Sequence, residues 1–204
     1  MSDSDIPYEL LMKIQQGTLA YTYRGVPMLK NPFDLALYPL LLEEARPRTL
    51  IEIGTHQGGS AMWFADLFAH QGVDVVTVDL EPPVIDHPRV TCIRGDARHL
   101  DLPIATYARP LMVVEDSDHR ASTTAAVLDY FDRWLEPGEW IVIEDGILSD
   151  MRVADLYEGG PAHAVREFVA RTHGRYEISR RYCDYFGRNV TWNVDGWVRR
   201  KAEG

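Results

Sequence analysis

Short segments rich in β-branched and other apolar residues recur along the chain, and longer segments with helical spacing separate them. Segments this short and apolar are typical of strands buried on both faces of a parallel sheet. Their alternation with helices predicts an α/β domain. The predicted strands are residues 49–53, 74–80, 89–94, 111–114 and 140–143, and the predicted helices are a short one over residues 7–16, one after Asn31, one after the glycine-rich turn 54–60, one over 119–135 and one from Pro161.

Three further parts of the chain give weaker patterns. Residues 17–30 are aromatic and loop-like, and we expect them to cover a site. Residues 147–160 lack periodicity and include two adjacent glycines, which favours a mobile loop at the mouth of that site. Residues 175–179 and 190–198 are predicted to close the fold as a strand pair linked by residues 180–189.

Charge and cysteine usage narrow the function classes. The 204 residues carry a formal net charge of −10, which argues against electrostatic binding to nucleic acid or to an anionic membrane surface. The chain has no signal-peptide core and no apolar run long enough to span a bilayer. Cys92 and Cys183 form neither a disulfide framework nor a zinc motif, so we expect a cytoplasmic protein.

Acidic residues follow the fourth and the fifth predicted strand, at the point where each strand ends. Asp116 follows the fourth strand and has His119 three residues later, and Glu144 and Asp145 follow the fifth. The carboxyl ends of neighbouring parallel strands meet at the edge where α/β sheets bind ligands. Three carboxylates there are hard oxygen ligands for Mg²⁺, with His119 placed as a general base.

A simpler alternative exists for each of these residues. Acidic side chains at strand-to-helix junctions often cap the next helix, which is an equal alternative for Glu144 and Asp145 taken alone. His119 without its acidic neighbours would be interpreted as a residue that hydrogen-bonds locally. Two clusters after adjacent strands favour the metal site, because crowded carboxylates repel one another unless a cation or hydrogen bonds relieve them.

The first strand leads into a glycine-rich turn suited to a nucleotide cofactor. Glycine allows the backbone of residues 54–60 to approach a ligand, and the following helix presents free N–H groups. No second glycine falls two places after Gly54, so the turn lacks the dinucleotide-binding motif G-x-G-x-x-G. This argues against nicotinamide as the cofactor. Asp79 ends the next strand, where an acidic side chain can accept both ribose hydroxyls, and Asp96 can accept an exocyclic amine. A helix cap or turn is an equal alternative for both.

The joint pattern of motifs resembles the S-adenosylmethionine-dependent methyltransferase fold. It is most similar to the family known as cephalosporin hydroxylases, which also includes macrolide-sugar O-methyltransferases. The motifs that carry the resemblance are Gly25-Val26-Pro27 with Lys30, Pro32-Phe33-Asp34-Leu35, residues 51–55 with 58–61, Asp116-Ser117-Asp118-His119, Ile143-Glu144-Asp145, Gly160-Pro161 with Ala164-Val165, and Gly196-Trp197.

The resemblance implies a fold, cofactors and roles. It implies a single-domain Rossmann-like fold with a mostly parallel seven-stranded sheet, an antiparallel C-terminal strand and N-terminal helices. Residues 1–30 would form an N-terminal helix and lid segment, and residues 31–204 the methyltransferase domain. S-adenosylmethionine would be held by Glu52, Gly54, Thr55, Ser60, Asp79 and Asp96, and Mg²⁺ or another divalent cation by Asp116, Glu144 and Asp145.

The expected activity is O-methylation of a small-molecule hydroxyl, with a natural-product sugar or diol as the acceptor. His119 takes the offset of the general base in the sugar-methylating members, which carry large N-terminal additions that this sequence lacks. A homo-oligomer is compatible with the sequence. Two alternatives remain: a hydroxylase, which needs two histidines and one carboxylate around a redox metal, and a non-catalytic accessory protein that binds S-adenosylmethionine.

Overall fold

The computed structural model of the protein describes residues 4–202. Residues 1–3 of the predicted lid segment and residues 203–204 of the predicted methyltransferase domain lie outside the described residues. The strands are β1 (Thr22–Tyr23), β2 (Val26–Pro27), β3 (Thr49–Ile53), β4 (Asp74–Asp79), β5 (Val90–Arg94), β6 (Leu111–Glu115), β7 (Trp140–Ile143), β8 (Tyr176–Ile178) and β9 (Trp197–Arg200). The α-helices are α1 (Tyr8–Ala20), α2 (Pro32–Ala45), α3 (Gly59–Leu67), α4 (Ala121–Asp132), α5 (Pro161–Arg171) and α6 (Arg180–Cys183).

Seven of the strands form one sheet in the order β5-β4-β3-β6-β7-β9-β8. The first five are parallel to one another, whereas β9 runs antiparallel to both β7 and β8. This confirms the predicted mostly parallel sheet with an antiparallel C-terminal strand. The five parallel strands agree with the predicted bounds to within one residue at each end.

Helices cover both faces of the sheet, which is why its central strands are apolar throughout. On one face, α4 and α5 pack through Val127, Phe131, Val165 and Phe168 against the sheet. On the other face, α2, α3 and α6 contribute a second core. Burial of apolar area on both faces is the main stabilising term of such a fold, and it fixes the carboxyl ends of β6 and β7 side by side.

The structure corrects three predictions about the irregular parts of the chain. The first helix continues through Gly17 to Ala20, and residues 22–27 form a two-stranded hairpin instead of a loop. Residues 190–196 are not a strand; Trp192 and Val194 are buried in a small third core with Leu11 of α1. The short helix α6 also interrupts the predicted link over residues 180–189.

The segment over residues 147–160 is packed against the rest of the protein in its first part and is partly exposed from residue 152 to residue 159. It contains two turns of 3-10 helix, Gly146–Ser149 and Ala154–Tyr157. Ile147, Leu148 and Met151 are buried in the third core. The spacing of the apolar residues in this segment does not reveal the packing, because their partners, among them Ile6 and Val190, lie near the two ends of the chain. No helix within residues 4–202 combines the length and the apolar character needed to cross a bilayer.

Asp34 anchors the beginning of α2 to the C-terminal part of the chain. Its side chain is 2% exposed and accepts hydrogen bonds from Asn31, from the Thr191 hydroxyl and from the Trp192 backbone N–H, the last at 3.0 Å. Asn31 also caps α2 by accepting from the N–H groups of Phe33 and Asp34. This network holds the stretch that precedes α2 against the edge of the sheet.

Replacement of Asp34 by alanine is expected to destabilise the fold by about 3 kcal/mol, because it leaves a buried N–H and a buried hydroxyl without their acceptor. Urea unfolding followed by circular dichroism measures the change. The exposed Asp101→Ala serves as the control and should change the free energy of unfolding by less than about 0.5 kcal/mol. Equal midpoints for the two variants would show that the network does not support the fold.

Candidate metal and cofactor site

Backbone hydrogen bonds extend the parallel sheet beyond the ends of its central strands. The Asp116 N–H donates to the Ile53 carbonyl at 2.8 Å, and the Glu144 N–H donates to the Glu115 carbonyl at 2.9 Å. The residues after β3, β6 and β7 therefore stay in register. The sheet thus brings together Asp116 and Glu144, which are far apart in sequence.

Asp116, His119 and Asp145 form a compact cluster at this edge. One ligand atom of each lies within 4.8 Å of the others, and the His119 Nδ1 is 3.3 Å from the Asp145 Oδ2. His119 and Asp145 both adopt left-handed backbone conformations, with φ of 60° and 56°. Such conformations are uncommon for residues other than glycine and occur where the surrounding structure imposes them. The two turns thus direct both side chains into one site.

Glu144 belongs to the same site but is bound differently. Its Oε2 lies 2.6 Å from the Lys30 Nζ, and its Oε1 accepts a hydrogen bond from the Tyr38 hydroxyl. The same Lys30 Nζ lies 2.6 Å from the Asp116 Oδ2. Glu144 is thus set slightly apart from the Asp116, His119 and Asp145 cluster, with Lys30 joining the two.

Lys30 and Tyr38 are the site residues that sequence reasoning did not identify. Lys30 belongs to the family motif, which gives it no role, and Tyr38 lies inside the helix predicted after Asn31. A lysine directly before a helix cap, in a strongly acidic chain, was the available indication. Both residues now contact a predicted metal ligand.

Burial and charge act in opposite directions on the groups of the cluster. Burial raises the pKa of Glu144 well above its usual range, and the Lys30 ammonium opposes the shift. Burial also raises the pKa of Asp145, against the effect of His119. Burial would lower the pKa of His119, but the charges of Asp145 and Asp116 outweigh it and raise the pKa. Asp116 contributes to both carboxyl shifts by charge repulsion, and a bound cation would relieve this repulsion and favour the ionised carboxylates.

The larger of two neighbouring cavities has the form of a nucleotide pocket. It has a volume of about 580 Å³ and is lined by Gly54, Asp79, Asp96 and Asp116, among others. The Asp79 Oδ2 accepts from the N–H groups of Thr55 and His56, both at 2.9 Å. Asp96 accepts from the backbone and side chain of Arg98. The strand-end carboxylates therefore both shape the cavity and line it.

The other predicted cofactor residues lie behind or beside this cavity. Glu52 is fully buried, and the Thr77 hydroxyl donates to its Oε2 at 2.9 Å, so Glu52 lines neither cavity. Its other oxygen, Oε1, has no hydrogen-bond partner within residues 4–202. Thr55 and Ser60 line the second cavity. Of the predicted cofactor set, Gly54, Asp79 and Asp96 therefore face the larger cavity.

A second cavity of about 250 Å³ lies beside the first. It is lined by Lys30, His119 and Asp145 on one side and by residues of α1 and the hairpin on the other. The two cavities share Gly54, His56, Asp116 and Ser117 as a common wall. A molecule in one cavity can therefore meet a molecule in the other beside the carboxylate cluster.

Comparison with known proteins identifies the family. The model of the family described as Rhamnosyl O-methyltransferase/CmcI matches residues 15–201 of this chain. The chain belongs to this family. The membership confirms the resemblance derived from the motifs.

Curated members of the Rhamnosyl O-methyltransferase/CmcI family are similar over most of the chain. A rhamnosyl O-methyltransferase of Mycobacterium leprae is 28% identical over 195 residues, which cover 88% of this chain and 83% of the relative. One of Mycobacterium tuberculosis is 28% identical over 200 residues, covering 90% of this chain and 82% of the relative.

Solved structures agree with this assignment. A structure of CmcI described as Mg-SAM superposes with a TM-score of 0.70 at 28% identity and covers 90% of this chain and 78% of that chain. MycE in complex with Mg, SAH and Mycinamycin VI superposes with a TM-score of 0.55 at 18% identity and covers 84% and 50% of the two chains, which shows the fold alone. The predicted Rossmann-like methyltransferase fold is therefore confirmed.

Gly54 is the point of closest approach between the cofactor turn and the acidic edge. A Cβ at Gly54 would lie 2.1 Å from the Asp116 carbonyl oxygen, and the residue has a φ of +97°. Gly54→Ala is therefore expected to destabilise the fold by about 2 kcal/mol or more and to lower the affinity for S-adenosylmethionine by displacing Asp116. Urea unfolding and titration calorimetry measure the two effects.

The control for this variant is Gly17→Ala in α1, where a Cβ would meet no atom within 4 Å. Alanine is a better helix former than glycine, so this change should stabilise the protein by about 0.5–1 kcal/mol and leave cofactor binding unchanged. If Gly54→Ala behaved like Gly17→Ala, the close approach would carry no cost.

Glu52 gives a pH dependence of stability. Burial raises its pKa to about 7, against the opposing effect of Lys30. The folded protein thus binds this proton more tightly than the unfolded chain does, and the contribution of Glu52 to stability falls as pH rises from about 4.5 to 7. Glu52→Gln removes this contribution. Thermal unfolding should therefore show a shallower loss of stability between about pH 5 and pH 8 in the variant than in the wild type.

The exposed Glu177→Gln is the control and should retain the wild-type slope. Parallel curves for Glu52→Gln and the wild type would show that Glu52 keeps an ordinary pKa in the folded protein.

Proposed function

We propose that this protein transfers a methyl group from S-adenosylmethionine to a hydroxyl of a sugar in a reaction that depends on Mg²⁺. The common wall of the two cavities, with the carboxylate cluster beside it, is the observation that carries the proposal. Methyl transfer from a sulfonium is an in-line displacement in which the acceptor oxygen contacts the methyl carbon directly, and two cavities that meet at shared residues would place the two reactants next to one another. The rhamnosyl O-methyltransferase relatives and the Mg-SAM structure of CmcI support the same activity.

S-adenosylmethionine fits the larger cavity in this proposal. Asp79 at the end of β4 would accept the ribose hydroxyls, and Asp96 after β5 would accept the exocyclic amine of the base. Gly54 would let the turn approach the methionine end of the cofactor. Thr55 and Ser60 would support the glycine-rich turn from the side of the second cavity. Glu52 would contribute indirectly, through its hydrogen bond with the Thr77 hydroxyl.

Asp116, Glu144 and Asp145 would hold the divalent ion. Two observations support this assignment. Oxygen atoms of Asp116 and Asp145 lie within 4.8 Å of one another, and Lys30 bridges the Asp116 and Glu144 carboxylates. Mg²⁺ binds through one or two carboxylates with waters and substrate oxygens. When bound, the ion supplies a Lewis acid that lowers the pKa of a hydroxyl coordinated to it.

His119 would take the proton from the acceptor hydroxyl. Its Nδ1 faces the Asp145 carboxylate at 3.3 Å, which leaves the Nε2 for the proton of the substrate. The ring also contacts Tyr157, with the ring centroids 5.9 Å apart. These two contacts orient the imidazole toward the second cavity, which His119 lines.

The acceptor would enter the second cavity under the N-terminal part of the chain. Residues of α1, the hairpin and the stretch before α2 form its outer side, in line with residues 1–30 acting as a lid on the methyltransferase domain of residues 31–204. Gly59 allows the hairpin to rest on α3, because a Cβ there would lie 2.1 Å from the Pro27 carbonyl oxygen. A cavity of about 250 Å³ suits a small acceptor such as one sugar ring.

The structure weakens the hydroxylase alternative. A redox iron site of that type needs two histidines and one carboxylate. In residues 4–202, the one possible metal-ligand group contains a single histidine, His119. An accessory protein without activity would have no need of a carboxylate cluster placed between two cavities. We also propose a reducing, cytoplasmic location with no nucleic-acid partner, which the free Cys92 and Cys183 and the acidic charge support.

Methyl transfer from labelled S-adenosylmethionine to methyl rhamnoside tests the proposal. Activity should disappear in EDTA and return with Mg²⁺. Asp116→Asn and His119→Gln should each lower kcat/KM by about 100-fold or more, and His119→Gln should still bind S-adenosylmethionine in calorimetry.

Asp101→Asn and His70→Gln replace exposed residues of the same types and should keep wild-type activity. Full activity after chelation would contradict the metal dependence. Normal turnover by His119→Gln would contradict the role of His119 as the base.

A further inference from the structure

Lys30 is a fully buried lysine bound to two predicted metal ligands. Its side chain is 2% exposed, and its Nζ lies 2.6 Å from both the Asp116 Oδ2 and the Glu144 Oε2. Lysine is almost never fully buried unless it is paired. A pairing with two carboxylates at this edge of the sheet therefore calls for an explanation beyond packing.

The backbone around Lys30 fixes its position. The Lys30 N–H donates to the Met28 carbonyl at 2.9 Å, and the next residue, Asn31, caps α2. Tyr38, two turns into α2, donates to the same Glu144 carboxylate. The hairpin and α2 thus hold the Lys30 ammonium in a fixed position at the ends of β6 and β7.

The ammonium changes the charge balance of the site. With a cation bound and all three carboxyls ionised, Asp116, Glu144 and Asp145 together with Lys30 would carry two net negative charges, equal and opposite to the charge of one divalent ion. Without Lys30 the same carboxylates would carry three. The other charged groups that interact with the ammonium are Glu52 from β3 and Asp145 from the turn after β7. Lys30 also lines the second cavity, so its charge acts on a molecule bound there.

We propose that Lys30 is a positioning residue that supplies a permanent positive charge to the Asp116–Glu144 pair, competes with the divalent ion for this pair, and reduces the negative charge that faces the reacting acceptor oxygen. The inference rests on the proposed methyl transfer. It gives two effects of opposite sign when the charge is removed. The metal binds more tightly, because the carboxylates lose a competing cation. Methyl transfer slows, because a more negative site raises the pKa of the acceptor hydroxyl, which then loses its proton less readily.

Lys30→Met tests the inference, since methionine keeps the length of the side chain without its charge. Titration calorimetry with Mg²⁺, in the presence of S-adenosylhomocysteine, should give a Kd about tenfold lower than that of the wild type, because the ammonium no longer competes with the ion for the carboxylates. At saturating Mg²⁺, kcat with methyl rhamnoside should fall by about tenfold or more. Lys13→Met, which replaces an exposed lysine of α1, should change neither value.

Each result has a distinct meaning. A Kd in Lys30→Met equal to or weaker than that of the wild type would overturn the inference alone, since a merely structural lysine would loosen the site. Failure of the wild type to bind Mg²⁺ would overturn the proposed metal dependence, and the inference with it.

If Lys30→Met does not fold, Glu144→Gln and Lys30→Met/Glu144→Gln repeat the comparison with one buried carboxylate fewer. The double variant should again bind Mg²⁺ about tenfold more tightly than its parent.

Discussion

The ion pairs between one buried ammonium and two carboxylates connect the parts of this molecule that make its site. Asp116 and Glu144 follow neighbouring strands, and Lys30 comes from the stretch between the hairpin and α2. Carboxylates that are this close and this buried repel one another and lose hydration. The lysine offsets both costs, and it ties the N-terminal elements to the edge of the sheet that binds ligands.

The same edge explains why two cavities lie beside one another. Gly54 brings the turn after β3 into contact with the Asp116 backbone, so the wall between the cavities is only a few residues thick. An in-line transfer needs the acceptor oxygen in direct contact with the methyl carbon, so donor and acceptor would have to meet beside these shared residues. The left-handed turns at His119 and Asp145 direct an imidazole and a carboxylate to this place from the ends of β6 and β7.

Sequence reasoning succeeded where a local pattern carried the information and failed where distant packing decided. The parallel strands were found almost residue by residue, because strands buried on both faces have a distinctive composition. Residues 190–196 alternate apolar and polar residues like a strand, yet Trp192 and Val194 pack against α1, and the Trp192 backbone N–H donates to Asp34 instead of to a neighbouring strand. Gly17 did not end α1, since tertiary packing overrode its low helix propensity.

By itself, the sequence determined the α/β architecture, the family and the presence of acidic groups at the ends of two adjacent strands. Only the tertiary structure decided how these groups are balanced: Lys30 lies 86 residues from Asp116 and 114 from Glu144 in the chain, yet it binds both. Local spacing reports which face of a strand or helix a residue occupies. It carries no information on contacts between residues so far apart, which depend on how the hairpin and α2 pack against the completed sheet.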